Sequence, residues 1–447
     1  MTPELIARYD QRVPRYTSYP TAPHFKPEVD KAIYAHWLSE LAPNTALSLY
    51  LHVPFCAELC LYCGCHTTVA RSYSPVASYV DLLAREIELV AKSLPNRMDV
   101  AHIHWGGGTP TILSGADLRR VMSLLERSFG ILATAEIAVE IDPRTITVDH
   151  VEALAQSGLN RASLGVQDFD PKVQKTINRI QSFEQTAQVA AWLRRAGVAG
   201  LNLDLMYGLP YQTTESVLRT VELSLRLDPD RIALFGYAHV PWMKRHQALL
   251  PEKAMPDALQ RVEQSTAAAS ALLKAGYVQI GIDHFAKPED PLVLHQREGR
   301  LHRNFQGYTT DETTALIGFG TSAIGSLPQG YVQNAPSTVA YREAVTKGRL
   351  ATVRGLALTE DDRLRRRIIE RLMCDFSVDL AKIAPGAGQH DFATELLAID
   401  ELARDGLVRR DGLSIDVPKD SRLLVRNVCA AFDRYLETGT ARHSRAV

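Results

Sequence analysis

The sequence has little cysteine, no long apolar run and almost no net charge, and each shortage excludes something. Six cysteines in 447 residues are too few for a disulfide scaffold. No uninterrupted apolar stretch approaches the length of a membrane span, and "MTPELIARYDQRVPRYTSYP" lacks the apolar run after a basic start that marks a secretory signal. A chain outside the membrane, in a reducing cytoplasm with free thiols, is expected. The formal net charge of −1, with neither half strongly acidic or basic, gives no argument for nucleic acid or an anionic membrane as partner. Low-complexity tracts are absent. What remains, 46% hydrophobic and 23% charged residues, is the composition of a globular protein with a large core, long enough for two or three domains.

The few cysteines are not scattered. Cys56, Cys60, Cys63 and Cys65 fall within ten positions of "LYLHVPFCAELCLYCGCHTT". The C-x-x-x-C-x-x-C spacing of the first three suits three corners of a 4Fe–4S cube, leaving one iron open. A tetrahedral zinc completed by Cys65 or His66 is the competing use of the same thiols. Structural zinc modules more often join two separated ligand pairs, and no second pair lies nearby.

From about residue 46 to 288, β-type runs alternate with segments of helical period. The strands read as "ALSLYLHV", "DVAHIHWGG", "EIAVEIDP", "RASLGVQD", "LNLDLMYG", "RIALFGYAHV" and "VQIGIDHF". Between the first two, Tyr79, Leu82, Leu83, Ile87 and Val90 mark one helical face. Such alternation predicts an α/β fold with parallel strands and right-handed crossovers, a partial or full TIM-like (β/α) barrel. The polar residues chosen as chemical sit late in these strands, so they are expected at one mouth. Residues 1–45 are expected to cover that mouth, 46–345 to form the catalytic barrel, and 346–447 a smaller, mostly helical domain. The run "RLRRR" at 363–367 reads as a solvated helix face.

"HVPFCAELCLYCGC" resembles the cluster loop of the radical S-adenosylmethionine superfamily. More narrowly, "PRYTSYPTA", "HWGGGTPT", "EIDPR", "GVQDF", "NLDL", "YGLP", "YAH", "DHFA" and "HRNFQGYTT" resemble the oxygen-independent coproporphyrinogen III oxidase family nearly end to end. That resemblance implies a 4Fe–4S cluster on Cys56, Cys60 and Cys63, with Cys65 not a ligand. It implies two S-adenosylmethionine molecules per site, contacted by Tyr50, Tyr62, Gly107, Gly108, Thr109, Glu140, Gln167, Arg179, Asp204, Ala238 and Ile324. Unaided, Ala238 and Ile324 are ordinary core residues, and an Arg at 179 an ordinary surface charge. Tyr50 and His52, alternating on the first strand, are the catalytic candidates; Arg15, Phe305 and Gln306 are the substrate candidates.

The implied reaction is oxidative decarboxylation of two propionates of coproporphyrinogen III to vinyl groups, giving protoporphyrinogen IX in haem biosynthesis. It needs an electron donor and a separate acceptor, and a monomer is expected. A haem-binding chaperone or a haem-degrading or methyl-transferring relative would share the barrel and differ in substrate. The chaperone is expected to lack "PRYTSYPTA" and the Cys65 pattern, both present here.

Overall fold

The computed structural model describes residues 2–386, 388–436 and 444–446. Its centre is a twelve-stranded sheet. The strands are β1 (Leu47–Val53), β2 (Asp99–Gly107), β3 (Gly130–Ile141), β4 (Arg161–Gln167), β5 (Gly200–Tyr207), β6 (Arg231–Gly236), β7 (Val278–Ile280) and β8 (His284–Ala286). After a separate two-stranded hairpin, β9 (His302–Asn304) and β10 (Gly307–Thr309), come β11 (Ala315–Phe319), β12 (Ile324–Leu327), β13 (Gly330–Asn334) and β14 (Thr352–Ala357). The order across the sheet is β14-β13-β12-β11-β1-β2-β3-β4-β5-β6-β8-β7.

Neighbours from β11 through β1 to β6 are parallel. The crossovers between them include α1 (Ser74–Ser93), α2 (Gly115–Ser128), α3 (Val148–Gln156), α4 (Phe183–Arg195) and α5 (Thr214–Leu225). After β6, α6 (Ala258–Lys274) leads back to the sheet. The α/β fold with parallel strands is therefore present, and the barrel is partial: β14 and β7 end the sheet without pairing to each other.

The seventh β-type run differs from the expected parallel strand. "VQIGIDHF" breaks at Gly281, which has φ +54°, and folds into β7 and β8, antiparallel to each other, with β8 also antiparallel to β6. A run too short to cross the sheet twice, with a glycine that reverses the chain, makes a hairpin instead.

The sheet has two unlike faces. Leu51, Ile103, Trp105, Val139, Leu164, Leu203 and Ile232 are buried in the main core with α1 to α6. Residues of the opposite parity, such as Tyr50, His104, Glu140, Ser163 and Asp204, line a cavity. Strands of a parallel sheet usually bury apolar residues on both faces, so this polar stripe marks a working interior.

Beyond α7 (Thr338–Thr346) the chain is mostly helical, with α8 (Glu360–Asp375), α9 (Ala393–Arg404) and α10 (Val425–Ala430) around a three-stranded sheet of Ser377–Asp379, Arg409–Asp411 and Ser414–Asp416. Its core also takes Ile6, Tyr9, Val13, Tyr16 and Tyr19 from the start of the chain. The 363–367 run is not wholly a solvated face. Arg365 is buried, pairing with Asp361 and Glu395 at 2.8 Å each, which offsets the cost of enclosing a guanidinium.

Candidate active site

The cavity at the C-terminal ends of the parallel strands has a volume of ≈ 770 Å³. Every catalytic, cofactor, cluster and substrate candidate lines it: Arg15, Tyr50, His52, Cys56, Cys60, Tyr62, Cys63, Gly107, Gly108, Thr109, Glu140, Gln167, Arg179, Asp204, Ala238, Phe305, Gln306 and Ile324, with Cys65 beside them; His66, the alternative zinc ligand, does not. The candidates come from positions spread over three hundred residues of chain, and most converge because parallel strands all end on one face; Arg15, Phe305, Gln306 and Ile324 arrive from the first residues, the separate hairpin and antiparallel β12.

The cysteine loop follows β1 and is pinned from outside. Phe55–Cys56 pairs with Thr68–Val69, and the loop backbone accepts hydrogen bonds from Asn178 on Leu59 O (2.9 Å), Gln247 on Tyr62 O (2.9 Å), His246 on Cys63 O (2.8 Å) and Lys244 on Cys65 O (2.8 Å). All six cysteines are free thiols. Cys56 Sγ lies 3.1 Å from Thr67 Oγ1 and accepts from Thr109 Oγ1 at 3.5 Å. Two guanidiniums, Arg144 and Arg179, point donors at Cys60 Sγ from 3.5 and 3.6 Å. Cys63 Sγ accepts from the Cys65 amide at 3.4 Å. Donation from Cys65, together with the nearby Lys244 and Arg179 charges, brings the Cys63 thiol down to about 7, whereas burial pushes Cys56 up.

The glycine run ends β2 beside this loop. Gly107 has φ +112°, where a side chain would be strained and would also meet the His52 ring at 2.8 Å. At Gly108 a Cβ would strike Phe55 O and Thr67 Oγ1. Bare backbone is needed here for the strand end and the cysteine loop to approach each other.

His52 is engaged on both nitrogens. Nε2 lies 3.0 Å from the His66 carbonyl, which can only accept, so Nε2 carries the proton and Nδ1 accepts from the Tyr50 hydroxyl at 3.0 Å. Burial lowers its pKa and keeps the ring neutral. It ties β1 to the far end of the cysteine loop. Glu140 accepts from the Gly107 amide at 3.2 Å and sits 3.3 Å from His104 Nε2. Asp204 accepts from Ser163 and Asn202, each at 2.8 Å, and burial raises it to about 6. Gln167 is buried with φ +68°, an uncommon conformation for a residue with a side chain, of the kind that clusters at functional sites.

Arg179 is buried, not the surface charge that its residue type alone suggests. It grips Asp142 through two nitrogens at 3.3 Å each and donates to Gly165 O, while its buried Nε has no partner. Asp142 is shared with Arg144 at 2.6 Å. Arg144, although inside "EIDPR", was not among the site residues read from the sequence, nor were Glu136, Arg161, Arg231, Asp283 and Arg303, which also line the cavity. The signal for several was period-2 polarity on a strand: Glu136 with Glu140, Arg161 with Ser163, and Asn202 with Asp204. Phe305 and Gln306 form the tip of the β9–β10 hairpin, with Phe305 edge-on to Tyr331 at 5.9 Å.

The residues present suit an iron–sulfur cube and a cofactor with amine, carboxylate and ribose groups. Three thiols face one cavity, two cations stand at one thiol, an orphaned buried guanidinium nitrogen lies behind it, and carboxylates follow along β3 and β5. Among the described residues no group of three or more His, Cys, Asp and Glu side chains is spaced for a single metal ion.

A half-open parallel barrel with three such thiols at its mouth defines the radical S-adenosylmethionine class, and the family model "Radical SAM superfamily" matches residues 50–224. The oxygen-independent coproporphyrinogen III oxidase of Bradyrhizobium diazoefficiens is 55% identical over 450 residues, covering 100% of both chains. That of Paracoccus denitrificans is 42% identical, covering 99% of this chain and 98% of its own. A solved coproporphyrinogen III oxidase from Escherichia coli, described as a radical SAM enzyme, superimposes with a TM-score of 0.90 at 40% identity, covering 95% of this chain and 100% of that one. The chain belongs to the oxygen-independent coproporphyrinogen III oxidase family.

Proposed function

We propose that this cavity converts two propionate side chains of coproporphyrinogen III to vinyl groups, yielding protoporphyrinogen IX for haem synthesis. The observation that carries the reading is the meeting of the three thiols, the Gly107–Thr109 edge, the carboxylates of β3 and β5 and a set of arginines in one ≈ 770 Å³ cavity. Cys56, Cys60 and Cys63 would hold a 4Fe–4S cluster. With S-adenosylmethionine bound, that group would supply the one-electron chemistry by which hydrogen is removed from a propionate β-carbon. The carbon–carboxylate bond then breaks, CO2 leaves, and one electron passes to an external acceptor; the sequence repeats on the second propionate.

The protein's own part is binding, orientation and shielding. Glu140, Gln167 and Asp204 offer acceptors for amine and hydroxyl groups, and Asp204, raised to about 6 by burial, is held by Ser163 and Asn202. Arg144 and Arg179 stabilise negative charge at Cys60. Two S-adenosylmethionine molecules are part of the proposal. What supports them is the placement of cofactor residues on both sides of β1: Ile324 beyond β11, and Glu140, Gln167 and Asp204 on β3 to β5. Turnover in the cytoplasm, by a monomer with separate electron donor and acceptor, completes the reading. No helix among the described residues is long and apolar enough to cross a membrane.

The test is anaerobic reconstitution, reduction, and addition of S-adenosylmethionine with coproporphyrinogen III. Protoporphyrinogen IX and 5′-deoxyadenosine are expected together. Cofactor cleavage without tetrapyrrole conversion would overturn the substrate.

A further inference from the structure

A second cavity of ≈ 360 Å³ opens beside the first. Arg15, Phe235, Gly236, Tyr237, Ala238, Asp283 and Arg303 line both, so the two chambers adjoin. The smaller one is dominated by one side-chain type: Arg12, Arg15, Arg261, Arg303, Arg426 and Arg445 all face it. Its two carboxylates are already engaged. Glu252 pairs with His239 at 3.1 Å, and Asp283 with its neighbour His284 at 2.7 Å.

The arginines are poorly neutralised. Arg445 pairs with Asp10 at 2.9 Å, and Arg303 only grazes Asp283 at 3.9 Å. Among the described residues, no carboxylate lies within ion-pair distance of Arg12, Arg15, Arg261 or Arg426. Their partners are neutral: Arg15 donates to Gly236 O, Arg261 to Tyr237 O, and Arg426 to Val13 O, Arg445 O and Ala446 O. Arg303, with a side chain 5% exposed, leaves Nε and Nη1 without a hydrogen bond, and Arg261 leaves Nε. Arg426 is buried and Arg261 and Arg303 are, as whole residues, half-buried, while Arg12, Arg15 and Arg445 stay exposed at the chamber's edge. Enclosing three guanidiniums with so little counter-charge is costly, and burial beside Arg15 and Arg303 depresses even Arg426, to about 10. Such an arrangement is explained when an anion completes it, and a planar fork matches a carboxylate best.

We propose that this chamber is a carboxylate subsite that anchors propionate arms of the substrate while another arm reaches the cysteine-lined cavity. The inference rests on the function proposed above and adds a subsite to it. A tetra-anionic macrocycle supplies several carboxylates on one rigid frame, so holding some of them fixes where the others point. Aromatic walls from Tyr207, Phe235 and Trp242 suit the edge of a pyrrole ring. Residues 444–446 also line the chamber, with Arg426 donating to the carbonyls of Arg445 and Ala446.

Equilibrium dialysis on the reconstituted enzyme tests this with two stable probes, coproporphyrin III and its tetramethyl ester, which keeps the ring and removes the charges. Arg261→Gln and Arg303→Gln are each expected to weaken the tetra-acid about tenfold or more while binding the ester as the wild type does. Arg261→Lys, retaining charge, should recover part of the loss. Equal weakening of acid and ester would mean a structural role, and unchanged acid binding would mean no subsite; either overturns the proposal. Should the wild type convert coproporphyrinogen III while both variants bind the acid normally, only the subsite falls. Should it bind the acid through these arginines yet convert nothing, the subsite stands and the reaction falls.

Discussion

At the scale of single residues, the cysteine loop separates thiols by what holds them. Cys56, Cys60 and Cys63 each have donors aimed at sulfur from outside their own side chains: Thr109, Arg144 with Arg179, and the Cys65 amide. Cys65 serves Cys63 in part through its backbone N–H, which any residue but proline would keep. Cys56→Ala should therefore reduce iron after reconstitution from about four atoms per chain to near zero, because two thiolates cannot hold the cube. Cys65→Ala should retain about four. Iron analysis with electronic absorption reads both, and loss of iron in Cys65→Ala would make Cys65 a ligand. The Cys spacing and the strand-end polar residues were legible because they depend on local sequence. The Asp142 link between Arg144 and Arg179 was not, since a salt bridge across loops leaves no periodic trace. His52 shows the same limit from the other side: its alternation on β1 placed it in the cavity, and only the His66 carbonyl 3.0 Å away revealed that its proton is already committed.

At the scale of elements, a buried carboxyl ties α1 to the antiparallel side of the sheet. Glu86 on α1 accepts from the Gly320 amide (2.7 Å), Asn334 of β13 (2.6 Å) and Tyr341 of α7 (2.7 Å). Burial outweighs these three donors and raises its pKa to about 7. The folded state therefore holds this proton more tightly than the unfolded chain, where a glutamate titrates near 4.5. Its stabilising effect is complete below that lower value and is lost as pH rises towards and through 7. Urea unfolding of the cluster-free protein should lose on the order of 2–3 kcal/mol between pH 5 and 7.5 from this group. Glu86→Gln should remove that slope while lowering stability at pH 5 by about 1–2 kcal/mol, since an amide cannot accept from all three donors. An identical slope in the variant would assign the pH dependence elsewhere. Helical period on α1 marked its buried face, but placed Glu86 only one step from Ile87 and gave no sign of what it meets. The β7–β8 hairpin escaped for a related reason: the eight residues of "VQIGIDHF" read as one strand until Gly281 reverses them.

At the scale of the whole molecule, the first residues and the last helices make one core. Ile6, Tyr9, Val13, Tyr16 and Tyr19 pack with Ile368, Leu372, Ile399 and Val428. Polar ties run the same way: Arg8 pairs with Asp405 at 2.8 Å, Tyr9 also hydrogen-bonds Asp405, Tyr16 donates to Asp433 at 3.1 Å, and Asn427 donates to Tyr9 O at 3.1 Å. From this anchorage the chain runs along the cavity, to which it contributes Arg15 and Thr17. Each buried side chain contributes about 1.5–3 kcal/mol by area, so the five together are worth on the order of 10 kcal/mol as an upper bound. That is comparable with the whole stability of an ordinary domain, about 5–15 kcal/mol. Deleting residues 2–20 would expose the apolar face of α8 and α10 and strip Arg426 and Asn427 of carbonyl partners. Amide exchange in α8, α9 and α10 should then accelerate roughly a hundredfold or more, while β2 to β5, which pack in the separate main core, keep their protection. Tyr9→Ala with Tyr16→Ala should do the same more mildly without shortening the chain. Uniform loss of protection across the sheet would mean that the two cores unfold as one unit. Unchanged exchange in α8 would mean that the first twenty residues rest on the helical layer without supporting it.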